Sequence, residues 1–471
     1  MTVELLRVAL GGLQLLQQEL LYFTAFWFVL GALDEMAVDL IWLGLRLMRG
    51  LRSGQVVTTA AGRPLSTPLA VFVPAWRESA VIGHMIGHAL RVWPQRDLRL
   101  YVGCYGNDPA TVAAALSGAN GDGRLRIVIH DRAGPTTKAD CLNRVYRAMC
   151  EDERRAGVRF RGVVMHDAED MVHPEAIGAI DAGLAEADFV QLPVLPEPQH
   201  LSPWIAGHYS DEFAEAHAKA LVVRDAIKAP IPAAGVGCGF GRERLEALAH
   251  LRAQEGGDGP FASECLTEDY ELGLLFSHAG GRSRFLRLRA ADGGLVATRA
   301  YFPSTLETSV RQKTRWIHGI ALQGWDRLGW SRRPLDVWMR LRDRRGPLMA
   351  LVFTAAYLWL FISGLLFAAR LAGWMTPAHP TSPMLRAMLV LCLFSLLWRM
   401  LMRFAFTTRE YGVREGLRSV PRIFVGNIIS IMAGRRALFS YVQTLRGAAV
   451  VWDKTEHRHH PATVLAQGAA A

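Results

Sequence analysis

The sequence predicts an α/β fold, a mostly parallel sheet with helices on both faces, joined to membrane-associated helices. Three observations carry this expectation. Short β-branched or aromatic runs alternate with helical stretches between residues 46 and 346. Pro347 to Ala369 is an unbroken uncharged run long enough to cross a bilayer. Arginines crowd the ends of the apolar stretches instead of spreading evenly. With 51% hydrophobic and 20% charged residues among 471, the chain is too apolar for a purely soluble protein and too polar for a transporter.

Taken in order, the first apolar stretch is Leu20 to Leu33, and its pattern continues past Asp34, Glu35 and Asp39 to Leu45. It lacks a small-residue cleavage site and runs directly into Arg46, Arg49 and Arg52, so it reads as a retained span and not a signal peptide. Its acids face either a partner helix or the membrane interface. Strand runs follow at residues 69–75, 98–106, 124–130, 162–167 and 188–194, with helices such as Lys138 to Arg155 and Pro174 to Ala185 between them. After Pro347 to Ala369 comes a third span, Met384 to Met402, whose Arg386 and Arg399 sit near its ends and can snorkel. Ile423 to Ala433 is too short to span and reads as interfacial or re-entrant. The tail after Trp452 reads as increasingly disordered.

The net charge of +10 follows the apolar runs. Arg340, Arg342, Arg344 and Arg345 precede one of them, and Arg399, Arg403 and Arg409 end another, which reads as anchoring to anionic lipid on the cytoplasmic side. Positive-inside counting places residues 46–346 in the cytoplasm, with the amino terminus and the loop near Thr376 to Pro383 outside. No stripe alternates basic with aromatic residues, so nucleic acid is not an expected partner. Six scattered cysteines without CxxC spacing fit a reduced compartment and no zinc site.

Ligands of parallel α/β sheets bind at the carboxyl ends of strands. MHDAEDMVHPE follows the fourth strand run and brings Asp167, Glu169 and Asp170 together. Clustered carboxylates repel unless a cation neutralises them, which suits Mg²⁺ or Mn²⁺ shared with substrate phosphates; a solvated acidic loop is the plain alternative. In LTEDYELGLLF, Thr267 can cap a helix that Glu268 and Asp269 open, and acids favour that position. A chemical role would make Asp269 a general base. In SVRQKTRWIHG, Gln312, Arg315 and Trp316 share one helical face, pairing a phosphate-binding guanidinium with a stacking surface; the plain alternative is an amphipathic interface helix.

VPAWRE, the Asp-x-acid group, TED and Gln-x-x-Arg-Trp stand in the order and rough spacing of processive family 2 glycosyltransferases such as cellulose and hyaluronan synthases, which this sequence resembles. The resemblance implies a GT-A-type (Rossmann-like) cytoplasmic catalytic domain with flanking transmembrane and interfacial α-helices. It implies that Pro74, Glu78, Asp108 and Lys138 contact the nucleotide donor, and that Asp167 and Glu169 bind metal and diphosphate. Asp269, with Glu268 and Thr267, is the implied catalytic group. Gln312, Arg315 and Trp316 hold the diphosphate and the acceptor end, and the glycine-rich segment 235–242, with Gly237, Cys238 and Gly239, resembles the acceptor loop. Glu169 departs from the family's usual Asp, which leaves the ligand geometry open.

The residues 26–43, 411–437 and WDKTEH extend the resemblance to NfrB-type inner-membrane glycosyltransferases of an exopolysaccharide system that some phages exploit. That family implies an N-acetylhexosamine (N-acetylmannosamine is the suggested sugar) and control by cyclic di-GMP. Larger members carry a domain for that nucleotide, and this sequence ends before one, so its direct control is not expected. The expected division is a transmembrane helix at 1–50, a catalytic domain at 51–346, two transmembrane helices plus an interfacial one at 347–440, and a partly disordered tail at 441–471. The expected activity is inverting, metal-dependent transfer from a UDP-sugar to a glycan or lipid-linked acceptor at the bacterial inner membrane. Three spans are few for an export path, which implies a homo-oligomer or a partner channel. The alternatives are single-sugar transfer to a polyprenyl-phosphate carrier and a non-catalytic scaffold or phage-receptor component.

Overall fold

Residue order along the chain already separates a sheet-forming half from a helical one. The computed structural model describes residues 2–48, 57–58, 61–278, 280–375, 381–447 and 459–463. A long helix α1 (Thr2–Met48) and a two-residue strand β1 (Val57–Thr58) lead into the sheet domain. There β2 (Leu69–Pro74), α2 (Ile82–Val92), β3 (Leu98–Tyr105), α3 (Pro109–Ala119), β4 (Leu125–His130), α4 (Lys138–Ala156), β5 (Gly162–Met165) and α5 (Ala176–Leu184) alternate regularly. Next come β6 (Phe189–Gln191), β7 (Val194–Pro196), α6 (Ile205–Glu215), a π-helical turn over Ala216–Ala220, α7 (Leu221–Ala226), β8 (Cys238–Gly241), α8 (Arg242–Gln254) and α9 (Glu268–His278). The short strands β9 (Ser283–Phe285), β10 (Arg289–Ala290) and β11 (Thr298–Ala300) precede α10 (Leu306–Trp316), which a second π-helical stretch, Ile317–Gln323, links to α11 (Gly324–Leu328). The remaining helices are α12 (Pro334–Arg344), α13 (Gly346–Leu371), α14 (Pro383–Tyr411) and α15 (Val413–Leu445).

The seven-stranded sheet runs β4-β3-β2-β5-β8-β6-β9, and only β8 lies antiparallel to its neighbours. All six residues of β2 are buried, as a central strand covered on both faces requires. Leu69, Val71 and Val73 point into one core and Ala70 and Phe72 into the other, the two-residue period of a strand. Caps set the helix starts: Asp108 accepts from Thr111 N–H to open α3, and Thr137 with Asp140 forms a capping box on α4. The chain winds β2, β3, β4 to one side and returns to β5 on the other side of β2, which opens a crevice at the carboxyl ends of β2 and β5. Pro74 and Asp167 sit at that crevice.

Among the described residues three helices are long and apolar enough to cross a membrane: α13, α14 and α15. Two are the expected carboxy-terminal spans. The third corrects the reading of Ile423 to Ala433 as re-entrant, since that stretch is the middle of one continuous 33-residue helix carrying Pro421 inside it. Packing of α15 against α6 and α10 explains why its sequence looked too short: the flanking turns bury Gly416, Ser419 and Arg422 against protein and need no apolar surface there. The amino-terminal stretch is part of a 47-residue helix, and its acids face partner helices and not the interface. Arg342 pairs with Asp34 and also lies 3.0 Å from Glu35, Arg345 reaches the same two acids at 3.0 and 2.6 Å, and Lys219 meets Asp39 at 2.7 Å.

That network gives the arginine clusters protein partners that the sequence reading did not foresee. Arg340 is fully buried on Asp336, Arg399 pairs with Glu35, Arg403 with Glu215 and Arg409 with Glu410, while Arg344 donates to backbone carbonyls of the Gly324–Gly329 turn. A guanidinium leaving water needs a carboxylate or carbonyls, and here the protein supplies both. Arg49 and Arg52 lie outside the described residues, as do Thr376 to Pro380 and most of the expected disordered tail. Within that tail, residues 459–463 are ordered, with His460 and Pro461 buried.

Candidate active site

Five elements converge on one cavity of about 540 Å³. From the carboxyl end of β2 come Pro74 and Glu78, and from the start of α4 comes Lys138. The loop after β5 adds Asp167 and Glu169, the first turn of α9 adds Thr267, Glu268 and Asp269, and α10 turns Gln312, Arg315 and Trp316 inward. The spacing of three and four within α10 achieves what a helix dictates, one face for all three side chains.

Electrostatics organise the acids. Lys138 Nζ lies 2.6 Å from Asp167 Oδ1. Burial opposes its charge, but Asp167, Glu268 and Asp269 together hold the ammonium above the usual lysine range. Burial, and then the neighbouring Asp269, pushes Glu268 up to about 7; burial also raises Asp269 above the usual carboxylate range. The third acid of the loop is tied up by its neighbours: Asp170 is buried, accepts from Asp167 N–H at 3.0 Å and takes a 2.8 Å bond from His166 Nδ1. Asp170 thus braces the loop, and Asp167 and Glu169 line the cavity beside it.

Two carboxylates beside a cavity with room for a diphosphate are a suitable oxygen-donor set for Mg²⁺ or Mn²⁺, whose remaining ligands come from phosphate and water. Among the described residues no group of three or more His, Cys, Asp or Glu forms an all-protein cage. The Asp167 and Glu169 carboxylates suit a cation shared with substrate.

Some expected residues lie elsewhere. Asp108 does not line the cavity: its carboxylate accepts from Arg77 N–H at 2.6 Å and caps α3, holding the loop that carries Glu78. Cys238 and Gly239 correct the reading of 235–242 as a loop throughout, because they belong to the buried strand β8, where a Cβ on Gly239 would strike Ile180. Gly237 precedes that strand at φ +59° against Thr298, and the cavity wall there is Ala233, Ala234 and Val236. Thr267 does not cap α9: its buried hydroxyl has no hydrogen-bond partner among the described residues and packs where a Cβ on Gly319 would be.

Other walls were not legible in the sequence. Val38 of α1 and Arg342 and Arg345 of the α12 region line the same cavity, so it reaches the helices next to the membrane-crossing set. Their signal was the acidic trio on an apolar helix, which the arginine clusters matched in charge. Phe213 and Phe302 stand beside Trp316 and line the cavity with it, an aromatic group brought together only by folding. Gly235, at φ +75°, passes so close that a Cβ there would lie 2.3 Å from Asp269 Oδ2.

A family model described as "Glycosyltransferase like family 2" matches residues 67–319. Bacteriophage adsorption protein B of Escherichia coli strain K12 and bacteriophage N4 adsorption protein B of Escherichia coli O157:H7 are each 34% identical, over 91% of this chain and 60% of the relative. The chain thus spans 60% of the length of those curated relatives. Among solved structures, a mannosyltransferase from Pyrobaculum calidifontis in complex with GDP-Man and Mn²⁺ aligns over 85% of this chain and 99% of its own at 16% identity and a TM-score of 0.49. A glucosyl-3-phosphoglycerate synthase from Mycobacterium tuberculosis aligns over 47% of this chain and 68% of its own at 17% identity and a TM-score of 0.28.

Proposed function

Because the chain belongs to the family 2 glycosyltransferases, we propose that it transfers a sugar, an N-acetylhexosamine, from a UDP-sugar to a growing exopolysaccharide by metal-dependent inverting displacement. The observation that carries this reading is the convergence of Asp269, the Lys138–Asp167 pair and the Gln312–Arg315–Trp316 face on a single cavity. A scaffold without activity has no use for a half-buried lysine held among three acids beside an arginine.

Asp269 takes the proton of the acceptor hydroxyl as that oxygen attacks the anomeric carbon from the face opposite the diphosphate. The bond from the anomeric carbon to the diphosphate oxygen breaks, and the electron pair leaves with UDP. Arg315 and Lys138 stand where the departing negative charge develops, and such preorganised cations stabilise it without reorganisation. Asp167 and Glu169 would hold Mg²⁺ or Mn²⁺, which supplies Lewis-acid neutralisation of the diphosphate. Pro74 and Glu78 frame the nucleoside side, Asp108 braces that loop, and Trp316 with Ala234 and Val236 borders the acceptor side. Holding donor and acceptor together in one cavity supplies much of the acceleration.

In this reading residues 1–50 form an amino-terminal span, residues 51–346 the cytoplasmic catalytic domain, and the helices beyond it the inner-membrane part. The acceptor is a glycan or a lipid-linked glycan, and an export partner or a second copy completes the path. The test is UDP release by the detergent-solubilised protein over a panel of UDP-sugars with Mg²⁺ or Mn²⁺, beside Asp269→Asn. Turnover of one donor, abolished by chelation and by the substitution, supports the reading. Folded protein that turns over none of the panel with lipid and glycan acceptors present overturns it.

A further inference from the structure

The acidic loop is held from behind by three side chains that lie outside it. His88 of α2 donates from Nε2 to the Val172 carbonyl at 2.9 Å, and Trp93 Nε1 donates to the His173 carbonyl at 3.0 Å. The third comes from the far end of the described chain: His460 Nε2 lies 3.0 Å from the Asp170 carbonyl, 290 residues away in sequence. His460 is 1% exposed, too buried for an adventitious surface contact.

The proton positions follow from the partners. Ala462 N–H donates to His460 Nδ1 at 3.1 Å, so Nδ1 is the acceptor and Nε2 carries the hydrogen that Asp170 receives. Burial holds this ring down at about 4, and the nearby His88 and His84 add to the effect, so it stays neutral at physiological pH. Asp170 then passes the constraint forward. Its backbone is fixed by His460, and its carboxylate accepts from Asp167 N–H and from His166. The bond at the rear of the loop thus acts with the Met171–Arg299 backbone bridge in setting where the front of the loop stands.

We propose that His460 is a positioning residue: its hydrogen bond to the Asp170 carbonyl fixes the spacing of Asp167 and Glu169, and with it the affinity for a divalent cation and the donor diphosphate. This rests on the reading of Asp167 and Glu169 as the cation-binding pair. Groups that orient ligands without touching the ion are worth roughly 10–100-fold in metal affinity or activity. A residue that only packed would change stability and leave that affinity alone.

The test uses the full chain as wild type, His460→Ala and His460→Gln, since glutamine restores an N–H donor at comparable reach without a ring. Mn²⁺ binding in the presence of UDP is measured by calorimetry, beside donor KM, kcat and the melting temperature. The expected result is Mn²⁺–UDP binding weakened by about tenfold in His460→Ala with donor KM raised, and recovery of most of that loss in His460→Gln. Wild-type Mn²⁺ affinity in a folded His460→Ala overturns the proposal, as does a folded His460→Gln no better than alanine. If alanine does not fold, glutamine alone decides by the same criterion. Wild-type protein that binds UDP-sugar but no Mn²⁺ overturns the cation reading instead, and this proposal falls with it.

Discussion

Lys138 Nζ stands 2.6 Å from Asp167 Oδ1, and Glu268 and Asp269 add to the field that keeps it charged. Without substrate, the cation that balances the site's acids is thus one of the protein's own residues. Lys138→Met leaves those carboxylates without it. UDP release is expected to fall by about 100-fold or more, and the melting temperature to drop modestly, because water still reaches Asp167. Parallel turnover and thermal-melt measurements check both, and wild-type turnover in this variant would remove the lysine from the site.

Asp269→Asn keeps the shape of the first turn of α9 and removes the base. kcat is expected to fall by roughly 10²–10⁴-fold while donor binding stays within a few-fold of wild type. Calorimetry with the donor alone, set against steady-state turnover, separates the two. Loss of donor affinity without loss of kcat contradicts the assignment.

The raised carboxyls give opposite pH trends for stability and rate. Glu268, shifted from 4.5 up to about 7, binds its proton more tightly folded than unfolded. Its contribution to stability is therefore complete below pH 4.5 and is lost as the pH rises through about 7. Asp269 shifts the same way but must be ionised to act. Ligand-free melting temperature should decline from about pH 5 to 8 while kcat/KM climbs, and Glu268→Gln should flatten the melting trend. A rate independent of pH over that range would falsify Asp269 as the base.

Gly235→Ala places a methyl where Asp269 Oδ2 now lies, on a backbone at φ +75°. Beyond a strain of about 1 kcal/mol, the carboxylate must move, and kcat is expected to fall by at least tenfold with the fold retained. Circular dichroism and UDP release together read this, and unchanged turnover shows that the base tolerates displacement.

Asp34→Asn with Glu35→Gln strips Arg342 and Arg345 of their carboxylates inside the helical layer. Uncompensated buried charge costs about 3–5 kcal/mol, so melting in detergent should drop sharply. Because both arginines also line the cavity, turnover should fall even in the protein that stays folded. A charge-reversed pair, Glu35→Arg with Arg345→Glu, should recover part of the stability lost by Glu35→Arg alone.

Much of the sheet was legible because a buried parallel strand announces itself by unbroken apolar runs, as in residues 69–74, and because strand ends then point to Asp167. The motif residues of α10 were legible because helical spacing alone puts Gln312, Arg315 and Trp316 together. What failed depended on partners distant in the chain. Cys238–Gly241 reads as part of a glycine-rich acceptor loop until β5 and β6 flank it, and Gly239 turns out to be what Ile180 and Leu184 leave room for. Arg342 and Arg345 read as lipid anchors because nothing local says that Asp34 and Glu35 will face them. His460 meets a carbonyl 290 residues earlier, a contact that no local pattern announces.

Val38, Arg342 and Arg345 share a wall with Asp167 and Asp269. Trimming the gene to residues 67–319 would therefore yield a vessel with one side missing, whatever its solubility. Inhibitor screening and directed evolution aimed at donor choice need the intact polypeptide, because changes in the first helix alter the chamber as surely as changes beside the acids.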